Sequence, residues 1–237
     1  MMQLLVDHPC EMTQANAPYP MPFTRVELCT LAVVNEGFCV LLGRREQAPF
    51  KGRWALPGGV LRIDIDASLE DAAQRVAKER LGLQLPYLRQ QCTVGGPGRD
   101  PRALWSLSVV YRALAPMEDL APKAGKRLEA LRWATVEQAM TDTSLAFDHE
   151  SIISNAVTEL RAEVSRLDLP FNFLPPEFTL GELQAACEVL LGRKLDKSSF
   201  RRRLDDRQSL QVVAGAFKRG ASRPAQLYRA RDGAARS

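Results

Sequence analysis

Apolar residues in the first two thirds of the chain alternate between spacings typical of strands and of helices. Residues 25–34 form an apolar run rich in β-branched side chains, which predicts a strand, and a turn signal at 35–37 leads into a second strand at 38–42. The same criteria predict strands near 89–94, 105–114 and 128–133, helices over 68–82 and 148–166, and a small helix after Thr135. Strands mixed with helices that cover their faces predict an α/β (α+β) sandwich.

Prolines at 170, 175 and 176 then break the chain, so we expect a domain boundary at about residue 170. Beyond them Thr179 is suited to cap a helix that ends at Gly192, and Asp196 is suited to cap a helix from 197 to about 206. Short strands at 212–213 and 227–228, joined by a basic segment, complete a small winged helix-turn-helix. The chain is thus divided into a flexible leader at 1–22, a sandwich domain at 23–169 and a winged helix at 170–237.

Charge is distributed unevenly between these parts. The 237 residues carry a formal net charge of +4, and their 46% hydrophobic and 25% charged content is that of a globular protein. Residues 170–237 carry 13 Lys and Arg against 7 Asp and Glu, whereas residues 1–169 carry 19 against 21. An excess of positive charge confined to the last third indicates an anionic macromolecular partner, with a solvated basic surface as the alternative.

Cysteine usage and hydropathy bear on the compartment. The five cysteines are scattered and form no CxxC pair, which favours a reducing compartment and disfavours a disulfide framework or a zinc finger. No apolar run approaches the roughly 20 residues that a membrane-spanning helix needs. We therefore expect a cytoplasmic protein without a membrane partner.

The segment from Gly59 to Leu83 resembles the Nudix box. Its approach is Trp54-Ala55-Leu56-Pro57-Gly58-Gly59, and its helix is Arg75-Val76-Ala77-Lys78-Glu79-Arg80-Leu81-Gly82-Leu83. The spacing from the glycine to the arginine of the box is two residues longer than in the standard pattern.

Two positions depart from the metal-binding part of the box. Nudix hydrolases bind a divalent metal through glutamates at the positions occupied here by Val76, Glu79 and Arg80. Magnesium takes oxygen ligands, so Val76 supplies nothing and Arg80 places a cation where a cation binds. The resemblance therefore implies a domain with no catalytic residue, no metal ligand and no required cofactor. Nearby acids at Asp64, Asp66 and Glu70 are the candidates that remain for a substitute site, and Glu79 has Arg75 as an alternative partner one turn away.

The whole arrangement resembles the Nudix-related transcriptional regulators (NrtR) over about residues 24–231. The residues that carry this likeness are 49–62, Asp100-Pro101-Arg102, Ala146-Phe147-Asp148-His149, 195–204 and 223–229. The resemblance implies a repressor of NAD-metabolism genes whose Nudix-like domain senses ADP-ribose or a related nucleotide.

A pyrophosphate needs hydrogen-bond donors and positive charge, and arginines cluster in sequence around the Gly58-Gly59 turn, Arg45 among them. The predicted effector-binding residues are Arg44, Lys51, Arg53, Gly58, Gly59, Arg62, Arg80 and Arg102. We hypothesise that Arg80 offsets, with a fixed guanidinium, the ligand charge that an enzyme offsets with metal.

The second helix of the winged helix presents basic and hydroxyl side chains suited to the major groove. The predicted DNA-binding residues are Lys197, Ser198, Ser199, Arg201, Arg202 and Arg203 in this helix and Lys218, Arg219 and Arg223 in the wing. Operators of such regulators are read by two-fold dimers, so we expect a homodimer on double-stranded DNA, with the helix over 148–166 as the lever between sensor and reader.

Two alternatives stay open from the sequence. One is an active Nudix pyrophosphohydrolase that acts on ADP-ribose. The other is a nucleotide-binding protein whose winged helix contacts proteins rather than DNA.

Overall fold

The structure, a computed structural model, describes residues 21–34, 37–85, 87–115, 120–219 and 224–231. Residues 1–20 of the expected leader, the turn residues Asn35 and Glu36, and Arg223 of the expected wing lie outside these ranges. Within them, no helix has both the length and the apolar character that crossing a bilayer requires.

The first part of the chain is a mixed sheet built around a parallel pair of strands. Its strands are β1 (Phe23–Val34), β2 (Gly37–Arg45), β3 (Trp54–Ala55), β4 (Gly58–Val60), β5 (Leu88–Pro97), β6 (Trp105–Leu114) and β7 (Leu128–Thr135). The central strands β1 and β6 are parallel, and β2 and β5 flank them in antiparallel orientation. Strand β4 pairs with β1, and β7 pairs with β2. The short pairing of β4 holds the Gly58-Gly59 turn against the middle of the sheet.

Helices cover both faces of this sheet. They are α1 (Leu69–Leu81), the short α2 (Val136–Ala139) and α3 (His149–Ser165). Side chains of β1 alternate between the two faces, so that Val26 and Leu28 pack in the core with α1, while Cys29 and Leu31 pack in the core with α3. As predicted, Ser68 caps α1 and Gly82 ends it, in the left-handed conformation.

The second part is a helical pair with a three-stranded sheet. Its elements are β8 (Phe178–Thr179), α4 (Leu180–Leu191), α5 (Lys197–Arg207), β9 (Leu210–Lys218) and β10 (Ala225–Ala230), with strand order β8-β10-β9. Thr179 and Glu182 form a reciprocal capping box at the start of α4. The architecture confirms the predicted α/β sandwich followed by a winged helix.

A single apolar core joins the two parts. It contains Ile153 and Val157 of α3, Leu190 of α4 and Phe200 of α5. On α3, Arg161 also donates to the Leu190 carbonyl oxygen at 2.9 Å. The same apolar cluster is thus buried by both parts, and α3 packs directly against α4 of the winged helix.

Several strands are longer than predicted, and three were not predicted. Strand β5 continues through Gly95 and Gly96, beyond the end near residue 94 that the sequence predicts. The wing strands β9 and β10 extend well beyond their predicted apolar pairs, because their exposed residues pair through the backbone. Strands β3, β4 and β8 have two or three residues each, too few to produce a periodic pattern.

Leu190→Ala tests whether the shared core stabilises the fold. The side chain is fully buried, so we expect the free energy of unfolding, measured by urea titration, to fall by about 2–5 kcal/mol. Leu104→Ala is the control, because Leu104 is 95% exposed and its loss changes stability by no more than about 0.5 kcal/mol. Equal effects of the two substitutions would contradict the shared core.

Candidate ligand cleft and nucleic-acid interface

A cleft rich in arginine lies where β2, the β3–β4 segment and the C-terminal half of α1 meet. Its walls are formed by Arg25, Arg45, Gln47, Ala48, Ala55, Leu56, Gly58, Gly59, Val60, Arg80, Arg102, Arg127 and Leu128. Five of these side chains are guanidinium groups, which offer planar arrays of donors suited to phosphate. The cleft is therefore suited to an anionic ligand.

The cleft arginines disfavour one another's charge. Burial and, to a smaller extent, repulsion by Arg25 and Arg102 lower the pKa of Arg45 to about 10. Burial likewise lowers the pKa of Arg25, against the attraction of Glu27. Asp100, almost fully buried, is bound by the Arg102 side chain and so offsets part of this charge. A phosphate in the cleft relieves the repulsion that remains.

The aromatic ring of Phe147 contacts three of these arginines. The guanidinium carbons of Arg45, Arg25 and Arg102 lie 4.9, 5.7 and 6.0 Å from the centroid of the Phe147 ring, within cation–π range. Phe147 has a φ of 56°, a left-handed conformation that costs a non-glycine residue about 1–3 kcal/mol. It directly precedes α3, so the cleft arginines contact the start of that helix.

A buried ionic network lies behind the cleft. Glu27, 1% exposed, lies 3.4 Å from Arg25 Nε, 3.4 Å from Arg99 Nη2 and 3.2 Å from His149 Nε2. Arg99 in turn binds both carboxylate oxygens of Asp148 at the start of α3. Burial alone would raise the pKa of Glu27, but His149 and the two arginines outweigh it and hold the pKa well below the usual range.

The Nudix-box positions serve packing rather than metal binding. Val76 is buried, and a Cβ added at Gly59 would lie 2.7 Å from its Cγ2. Arg80 donates to the carbonyl oxygens of Gly58 at 3.0 Å and Lys126 at 2.6 Å. Glu79 lies 3.7 Å from charged nitrogens of Arg75 and Lys126. This donor set does not fit the divalent metal that the Nudix box of an enzyme holds.

The acids considered as substitutes are engaged elsewhere. Asp66 pairs with Arg75 at 2.6 Å, and Asp64 pairs with Arg62 at 2.6 Å. Glu70 is exposed in the first turn of α1. In the described ranges, no three acid, histidine or cysteine side chains are grouped in a way that fits a metal ion.

The structure brings half of the predicted effector-binding residues to the cleft, namely Gly58, Gly59, Arg80 and Arg102. The other four lie outside its walls. Arg44 lies 3.4 Å from Glu129, Arg53 donates to the carbonyl oxygens of Ser144 and Thr143, Arg62 is held by Asp64, and Lys51 is exposed.

The sequence analysis missed Arg25 and Arg127 and did not select Arg45 as a ligand contact. A signal existed for Arg25, because Arg25 and Glu27 occupy alternate positions of a strand that is otherwise apolar. Arg127 carries no comparable pattern, since it reaches the cleft from the turn before β7 with a φ of 62°.

The exposed face of α5 carries most of the predicted DNA contacts. Phe200 and Leu204 are buried, and Lys197, Ser198, Arg201 and Arg202 are exposed. Ser199 and Arg203 are exposed too, and each also makes a hydrogen bond within the protein. The Ser199 backbone N–H donates to Asp196 at 2.8 Å, and Arg203 Nη2 donates to the Ser165 carbonyl oxygen at 2.8 Å.

The wing lies beside the N-terminus of α4. Lys218, at the end of β9, forms an ion pair with Glu182 of the capping box. Arg219 follows it and is exposed. Lys218 thus fixes the hairpin against α4, whereas Arg219 is exposed to solvent.

Comparison with known proteins identifies the family. A model of the NrtR DNA-binding winged helix domain matches residues 170–230, and a model of the NUDIX domain matches residues 24–156. The "ADPR responsive transcriptional repressor NtrR" of Acinetobacter baylyi is 36% identical over 211 residues, which are 89% of this chain and 83% of that protein. The chain belongs to the NrtR family of transcriptional regulators.

Solved structures of NrtR from Shewanella oneidensis share the architecture. The structure complexed with a 27mer DNA has a TM-score of 0.75 and 33% identity, and covers 90% of this chain and 95% of that one. The NUDIX domain of that NrtR complexed with ADP ribose has a TM-score of 0.56 and 30% identity, and covers 63% of this chain and 99% of that one. The family predicted from the sequence is confirmed.

Glu27→Gln tests the buried network of this NrtR member. Removing the carboxylate leaves Arg25 and Arg99 without their shared partner, so we expect a loss of about 3–5 kcal/mol in the free energy of unfolding at pH 7. The folded-state pKa is depressed, so the carboxylate stabilises the fold above its unfolded pKa of about 4.3, and that contribution is lost as pH falls. The gap between wild type and variant should narrow below about pH 4.

Urea titrations at a series of pH values measure both effects. Glu70→Gln, at an exposed position of α1, is the matched control and should change stability by no more than about 0.5 kcal/mol. A gap between wild type and Glu27→Gln that widens as the pH falls would contradict the assignment.

Proposed function

We propose that this protein is a repressor of NAD-metabolism genes that binds operator DNA through its winged helix and releases it when ADP-ribose or a related nucleotide fills the arginine cleft. The observation that carries the proposal is the cleft itself, which has the arginines of an anion site in a Nudix fold whose metal positions hold Val76 and Arg80. The division into a sensor at 23–169 and a reader at 170–237 belongs to the same proposal.

The effector proposal rests on charge and on the relatives. We assign the contacts with the effector to Gly58, Gly59 and Arg102, and to two further residues of the cleft wall, Arg25 and Arg45. Gly59 lies in the cleft wall, and it admits no side chain there because a Cβ would clash with the buried Val76. The relative from A. baylyi is named for its response to ADPR, and the Shewanella NUDIX domain was solved with ADP ribose.

Binding without hydrolysis is part of the proposal. Two nitrogens of Arg80 donate to carbonyl oxygens and so hold the Gly58 turn. The positive charge of the same guanidinium lies in the wall of the cleft. Without carboxylates at this position and at Val76, the ligand meets guanidinium groups instead of metal. Incubation with ADP-ribose and Mg²⁺ or Mn²⁺ should yield no AMP, and sustained release of AMP would identify an enzyme.

DNA recognition is assigned to α5 and the wing. Lys197, Ser198, Arg201 and Arg202 present donors and positive charge on one exposed face, as a helix in the major groove requires. Arg219 is positioned for phosphate contact. We also propose a homodimer, because two recognition helices related by a two-fold axis match two half-sites.

A mobility shift with duplex DNA from upstream of the gene itself and of its neighbours tests the function as a whole. The protein should retard one such fragment at nanomolar concentration, and ADP-ribose should release it. If the protein retards no duplex even at low salt, the result would instead favour a winged helix that contacts proteins.

Arg102→Ala tests the cleft as the effector site. Loss of charge-assisted bonds worth about 1.5–3 kcal/mol should weaken ADP-ribose binding by about 10-fold or more in isothermal titration calorimetry. Arg62→Ala is the control, since Arg62 lies outside the cleft walls and pairs with Asp64. If the Arg62 variant loses affinity for ADP-ribose and the Arg102 variant keeps it, the effector site lies instead at the loop between β4 and α1, which contains Arg62.

Replacing Arg201 and Arg202 together with Ala tests the reading face. Each lost phosphate contact reduces the slope of log K against log salt concentration by about 0.9, so we expect weaker binding and a slope shallower by about 1–2. Lys51→Ala with Lys78→Ala removes the same charge from exposed positions of the first part. That control should leave the slope unchanged, and an equal change in both variants would contradict the assignment.

A further inference from the structure

Two arginines of the recognition helix bind the end of the helix that starts at the effector cleft. Arg203 Nη2 donates to the Ser165 carbonyl oxygen at 2.8 Å, and Arg207 Nη2 donates to the Arg166 carbonyl oxygen at 2.8 Å. The last carbonyls of a helix lack partners within it and carry partial negative charge, so guanidinium groups are favoured there. We name Arg203 and Arg207 the clamp.

The clamp lies on a different side of α5 from the proposed DNA face. Arg203 and Arg207 are one turn apart, on either side of the buried Leu204 along the chain. Both side chains are exposed, and each directs one guanidinium nitrogen to the end of α3. Arg201 and Arg202 are left free to face a ligand in solution. The recognition helix is thus oriented by its apolar contacts and by two bonds to α3.

The opposite end of α3 is bound to the effector cleft by four kinds of contact. His149 Nδ1 accepts from the backbone N–H of Leu56, a cleft residue, at 2.8 Å. The N–H of Ala146 donates to the Trp54 carbonyl oxygen at 2.8 Å. The Phe147 ring lies under the cleft arginines, and Glu27 joins the network to His149. Helix α3, with its 17 residues, spans about 25 Å between these contacts and the clamp.

We propose that Arg203 and Arg207 are positioning residues that couple effector binding to DNA binding, and that they set the size of the response rather than the affinity for DNA. An anion in the cleft competes with Phe147 for the arginines stacked on it, which changes how the start of α3 is held. The clamp transfers the displacement of α3 to α5 and so changes the presentation of its DNA face. This inference rests on the proposed function.

The test compares coupling ratios in the full-length protein. The ratio is the dissociation constant for operator DNA with saturating ADP-ribose divided by that without it, and for an allosteric regulator it is typically about 5–150. With Arg203→Ala and Arg207→Ala combined, we expect the ratio to fall to about 2 or less. Affinity for DNA without ligand should change by no more than about threefold, and affinity for ADP-ribose without DNA should stay the same.

Two sets of variants separate coupling from direct DNA contact. Arg201→Ala with Arg202→Ala should give the reverse result, with weak DNA binding and an unchanged ratio. Arg203→Lys with Arg207→Lys keeps the charge and one donor at each position, so it should restore part of the ratio. Arg207→Ala alone provides the same comparison if the double variant fails to fold.

The outcomes distinguish the inference from the function beneath it. A wild-type ratio well above one that the clamp variants retain overturns the inference alone. A clamp variant that loses DNA affinity and salt dependence while it keeps its ratio shows that these arginines contact phosphate, which also overturns it. A wild-type ratio of one overturns the proposed function and the inference with it.

Discussion

The rest of the structure depends on the ionic network around the buried carboxylate of Glu27. Glu27 lies in the central strand β1, and three groups converge on it: Arg25 from two residues earlier in the same strand, Arg99 from the loop after β5, and His149 at the start of α3. A charge so fully removed from water persists only when it is paired, so these groups are fixed where the carboxylate is. Through them the cleft wall, the loop after β5 and the start of α3 are held to one strand.

Contacts of Arg80 and Val76 hold the glycine turn at the other side of the cleft. Arg80 occupies a metal-ligand position, yet its nitrogens satisfy the carbonyl oxygens of Gly58 and Lys126, and so join the glycine turn to the segment before β7. Val76 fills the space beneath Gly59. Val76 and Arg80 therefore add packing and hydrogen bonds, and the cleft concentrates positive charge beside the first turn of α3.

The sequence predicts the fold better than the site, for physical reasons. An apolar stripe together with a Ser, Thr or Asp cap suffices to predict α1, α4 and α5, and the apolar stripe alone suffices for α3. The cleft depends on residues that are distant in sequence, such as Arg25 and Arg127, which only the folded chain brings together. Arg203 shows a contact of the same kind: its basic neighbours predict a DNA contact, and the tertiary structure adds a hydrogen bond to the Ser165 carbonyl oxygen that no local pattern indicates.

We propose that the arginine cleft and the exposed face of α5 are energetically linked through α3. Linkage is reciprocal, so whatever factor ADP-ribose imposes on DNA affinity, operator DNA must impose on ADP-ribose affinity. The most direct measurement is isothermal titration of ADP-ribose into the free protein and into its complex with operator DNA. We expect ADP-ribose to bind the complex more weakly than the free protein, by the same factor by which ADP-ribose weakens the binding of DNA. Equal affinity in the two titrations would contradict it.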